Sequence, residues 1–103
     1  MAAGWVIAVL VDVTGEAAAT RHFFAVAKPD QARAEWSAAD RASGIGNIAP
    51  SPDHGMEPVE AIAPLSDATV KSMGLPEGEV RALGRKWPRR WIGGEQPARN
   101  PAA

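Results

Sequence analysis

The 103 residues carry a net charge of −1 and no cysteine, which excludes disulfide frameworks, thiol nucleophiles and cysteine-ligated metal. A chain of this length holds one hydrophobic core, and a hydrophobic fraction of 46% with 22% charged residues is that of a globular domain. The balance conceals an asymmetry: residues 1–80 carry eleven acids against five bases, while residues 81–103 carry six bases against one acid. A basic end of this kind either attracts anions or folds back over the acidic body.

The run Trp5 to Val13 is β-branched and apolar on both alternating sets, bounded by Gly4 and Thr14-Gly15, and predicts a central strand covered on both faces. No basic residue precedes it and it is too short to span a bilayer, so a cytoplasmic location is expected. Thr14 to Ala19 reads as a hairpin loop and Thr20 to Ala27 as the returning strand, with Phe23 and Phe24 on opposite faces. Pro29-Asp30 opens a helix that runs to about Ser43 and ends at Gly44; Ala32, Trp36 and Ala39 fall at helical spacing and are expected on the sheet.

Residues 45–56 read as a loop dense in Gly, Pro, Asn and Asp. Glu57 to Leu65 predicts a third strand with Val59, Ala61, Ala63 and Leu65 on one face, and Pro58 and Pro64 confine it to an edge. Ser66 caps a short helix over 67–73, with Leu65 placed to staple against Val70. Beyond the turn Leu75-Pro76-Glu77-Gly78, the residues Val80, Leu83 and Trp87 fit a helix, with a strand over 79–83 as the alternative.

The expected class is therefore α+β: a small antiparallel or mixed three-stranded sheet in the order 2-1-3, a split β-α-β unit. One main helix lies on a face, and short C-terminal helices follow. Residues 1–92 form the domain and 93–103 a flexible tail. One helix covers one face of such a sheet, so the other must be covered by the C-terminal segment or by a second subunit.

Two histidines are candidates for catalysis. His22 lies in the second strand, where Asp12 could orient it or pair with Arg21, and His54 lies in the Asp53-His54-Gly55 loop. No spacing matches a metal or nucleophile motif, so no catalytic, metal or cofactor residue is assigned. Gly44-Ile45-Gly46 follows a helix C-terminus, the wrong end for cradling phosphate.

The most distinctive segment is Arg85-Lys86-Trp87-Pro88-Arg89-Arg90-Trp91. Four cations and two indoles suit phosphates and unpaired bases. They also suit a protein interface, or an apolar plug whose charged groups reach water. Pro88 interrupts the amphipathic helix that a membrane surface would take, so no membrane partner is expected. A helix-turn-helix over residues 67–87 lacks a supporting third helix, and the pI of about 6.1 is low for a dedicated nucleic-acid domain.

Three functional readings follow. The first is a non-catalytic protein-interaction or regulatory module that forms a homodimer through its sheet or binds another protein. The second is a nucleic-acid-binding accessory protein using Arg85, Lys86, Trp87, Arg89, Arg90 and Trp91. The third is a small enzyme with Asp12, His22 or His54 in a dimer-interface pocket. The richness in Ala, Arg, Gly and Pro points to a bacterial source.

Overall fold

In the computed structural model, which describes residues 2–13, 15, 18–50, 52 and 56–94, strand β1 (Gly4–Asp12) forms the centre of the sheet. Its six residues Val6 to Val11 have no exposed surface, as a β-branched run apolar on both sides requires. Strand β2 (Thr20–Val26) pairs with it antiparallel, Trp5 opposite Val26 and Val11 opposite Thr20. On the other side β1 is flanked by the two-residue β3 (Asn47–Ile48) and by β4 (Val59–Leu65), both antiparallel. Strand β5 (Val80–Gly84) adds antiparallel to β2 and forms that edge of the sheet.

The class is the expected α+β, and the order β2-β1-β4 is the predicted 2-1-3 arrangement. The sheet has five strands rather than three. The additional ones are β3, inside the expected loop, and β5, where the strand reading of residues 79–83 prevails over the helical one.

Helix α1 (Gln31–Ala42) begins at Asp30, whose Oδ1 accepts from the Arg33 amide at 2.9 Å. It lies on one face of the sheet, over Ile7, Val9, Val11, Phe24 and Val26. The stripe it buries is Ala34, Ala38 and Ala42, whereas Trp36 is 74% exposed. The expected stripe of Ala32, Trp36 and Ala39 is thus out of phase. The sheet already supplies the bulky groups on this face, so the helix approaches it through methyls rather than an indole.

The second face carries Val6, Ala8, Phe23, Ala25 and Leu65. Helix α2 (Asp67–Ser72) begins at Ser66, whose Oγ accepts from the Thr69 amide at 3.1 Å, and it delivers Val70 to this cluster together with Met73 and Leu75. A one-residue irregularity in the β1–β4 pairing at Ile62 moves the second half of β4 to the opposite phase. Val59 and Ala61 therefore face α1 while Ile62 and Leu65 face the second layer, so the predicted single apolar face of β4 is divided between two.

Trp87, Trp91 and Ile92, the last two from α3 (Arg89–Ile92), complete the second layer. Among the described residues no helix is long and apolar enough to cross a membrane.

Candidate interaction surface

The basic tryptophan segment begins where β5 ends. Gly84 has φ of 92°, a backbone angle that glycine adopts without steric cost. The segment packs against the second face of the sheet: Trp87 meets Phe23 edge-on, with ring centroids 5.7 Å apart and planes at 82°, and Pro88 is buried. The indole Nε1 of Trp87 donates to the Gly93 carbonyl at 2.9 Å, so Gly93 is engaged by the domain. Residues 95–103 of the expected tail lie outside the described residues. The guanidinium of Arg90 sits 4.7 Å from the ring centroid of Trp91.

These contacts separate the six residues that the sequence grouped together. Trp87 and Trp91 are half-buried and engaged within the chain, while Arg85, Lys86, Arg89 and Arg90 are exposed. The cations present charge to solvent. The indoles are not splayed as platforms for bases, which the stacking mode requires.

Two other arginines have structural roles. Arg81 donates to the carbonyls of Met73 and Gly74, the latter at 3.2 Å, and so places a cation at the C-terminal end of α2. Arg21 is buried on the second face, 5.7 Å from the Phe23 ring centroid, and its Nη2 donates to Glu60 at 3.1 Å across β1. The sequence left Asp12 open as a partner of either His22 or Arg21. The β1–β2 register sets Arg21 beside Leu10, and Asp12 is an exposed residue opposite Asn47. Alternation of a basic and an acidic residue among apolar ones in two strands was the available signal for this pair.

His22 pairs with Val9 in the register and belongs to the face under α1, where its Nε2 lies 3.0 Å from the Thr20 hydroxyl. Asp12 has the alternation of the opposite face, so strand geometry keeps the proposed base and its orienting acid apart. His54 lies outside the described residues. Among the described residues no group of three or more His, Asp or Glu side chains is arranged to hold a metal ion. Gly44-Ile45-Gly46 also has a packing explanation. A Cβ on Gly46 would lie 2.4 Å from the Asp12 carbonyl oxygen, where β3 meets β1.

The remaining feature is the outer edge of β5. The Ala27 amide donates to the Glu79 carbonyl at 2.9 Å, and the alternation of an antiparallel ladder then turns Arg81 toward β2 and the amides and carbonyls of Val80 and Ala82 outward. The outward carbonyl of Val80 receives Nη1 of Arg41 from α1 at 3.4 Å, a long and exposed contact. Hollows flank the edge. One of about 390 Å³ is bordered by Val13, His22, Ile45, Ala82 and Arg85, and one of about 490 Å³ by Arg41, Pro76, Glu79, Val80 and Ala82. The opposite border of the sheet, β4, is guarded by Pro58 and Pro64, whereas no proline lies within β5. Sequence reasoning missed this edge because it favoured a helix there. No family model, curated protein or solved structure matches the chain.

Proposed function

We propose that this chain is a non-catalytic interaction module, bacterial and cytoplasmic, that forms a homodimer along the open β5 edge of its sheet. The outward backbone groups of Val80 and Ala82 carry the reading, since they form a template on which a further strand can pair. The faces of the sheet are poor candidates by comparison, because each is already covered by the chain's own helices and tryptophans. A contact built on five strand residues is small, so the dimer is expected to be weak and concentration-dependent. Sedimentation of the full chain over a wide concentration series tests this. A mass that rises toward twice the monomer supports it, and a constant monomer mass rejects it.

The exposed Arg85, Lys86, Arg89 and Arg90 favour one second reading, contact with a nucleic-acid backbone. Because Trp87 and Trp91 are engaged inside the chain, such binding would rest on phosphate charge and fall steeply with salt. A titration with single-stranded oligonucleotide at low salt, followed by anisotropy of a labelled strand, decides it; no binding removes the reading.

A further inference from the structure

The charges around β5 are arranged by sign along the chain. Glu77 and Glu79 precede the strand, and Arg85 and Lys86 follow it. A second copy running antiparallel along this edge therefore meets opposite charge at both ends, whereas a parallel copy meets like charge at both. We infer that two copies of this chain pair antiparallel through β5 about a two-fold axis at Ala82, which brings the Glu79 end of each copy to the Arg85 end of the other. The inference rests on the self-association reading above and adds its register.

Backbone and side-chain geometry select that axis together. Ala82 turns its amide and carbonyl outward and has an exposed methyl, so two Ala82 residues can exchange both hydrogen bonds at the centre. An axis one residue earlier sets Arg81 opposite Arg81, and one residue later sets Arg81 opposite Arg85. Each of those registers places guanidinium against guanidinium, a destabilising cross-strand pair. Of these three registers, the Ala82 axis sets opposite charges across from each other without a like-charge pair. The long Arg41 contact at Val80 gives way to the incoming strand.

The test uses charge reversal in the full chain. Glu79 is exposed, so E79R is expected to fold as the parent does, and circular dichroism of R85E checks that its fold is kept. Each variant alone places like charges at both ends and is expected to raise the dimer dissociation constant roughly tenfold. Mixed one to one, the variants match acid to base at both ends, and native mass spectrometry is expected to show the heterodimer above either homodimer. A82P removes the outward amide at an edge position where proline is tolerated, and is expected to abolish the dimer while the circular dichroism is retained. A parent dimer that neither reversal weakens, with no preference for the mixed pair, overturns this register and leaves self-association standing. A parent that stays monomeric throughout overturns both.

Discussion

Trp36 and Trp87 show how little a residue's type says about its place in this chain. Trp36 stands on the outer side of α1, 74% exposed, while Trp87 is wedged edge-on against the fully buried Phe23. Trp87→Ala is therefore expected to cost about 2 kcal/mol, below the full cost of a core aromatic because the indole is half-buried. Trp36→Ala is expected to stay within about 0.5 kcal/mol of the parent. Urea unfolding of the two variants checks both, and equal losses would contradict the assignment of faces. Arg21 and Glu60 offer a second comparison. Glu60→Leu removes the carboxylate that faces a buried guanidinium and is expected to cost about 3 kcal/mol. Arg21→Leu with Glu60→Leu should recover part of that loss, because an apolar pair replaces an ionic one on an apolar face. A double-mutant cycle in urea in which the two losses simply add would show that the groups are not coupled.

The elements that were legible in the sequence are those fixed by local signals. The hairpin of β1 and β2, the Asp30 and Ser66 caps and the edge position of β4 follow from apolar runs, capping side chains and prolines. Phase was less accessible. The alanine stripe of α1 was hidden because Ala32, Trp36 and Ala39 share the same period, and only the bulk of Ile7, Val9 and Phe24 beneath the helix selects the smaller set. In β4 the irregularity at Ile62 reverses a face that strict alternation would keep. For β5 the spacing of Val80, Leu83 and Trp87 fits a helix as well as a strand, and the free side of β2 decides the matter. The outward edge of β5 was invisible for the same reason. At the element scale the Gly44-Ile45-Gly46 sequence is a junction between α1 and β3, and Gly46→Ala tests it. A Cβ 2.4 Å from the Asp12 carbonyl forces β3 away from β1, at an expected cost of about 1–3 kcal/mol by thermal or urea unfolding. A variant as stable as the parent would show that the junction has no such constraint.

For the molecule as a whole, the charge asymmetry and the uncovered sheet face are one problem with one solution. The C-terminal segment lays its apolar side over the second face and keeps Arg85, Lys86, Arg89 and Arg90 in water. Its structural role has a consequence for how partners are sought. A chain ending at Gly84 loses Trp87, Trp91 and Ile92, and with them part of the cover over Val6, Ala8, Phe23 and Ala25. Domain stabilities are only about 5–15 kcal/mol, so losing two tryptophans and an isoleucine from one layer is a large fraction of the total. The shortened chain is expected to unfold at a much lower denaturant concentration, bind a hydrophobic dye and aggregate. A chain ending at Gly94 retains the three residues and the Trp87 bond to Gly93, and is expected to unfold like the parent. If the Gly84 chain instead keeps the parent's midpoint, the segment is not a structural cover and its apolar side is available to a partner. If it collapses as expected, any change in its oligomeric mass reports exposed core rather than a lost interface. The reversals at Glu79 and Arg85 leave this cover in place, so they can read the β5 contact where a truncation cannot.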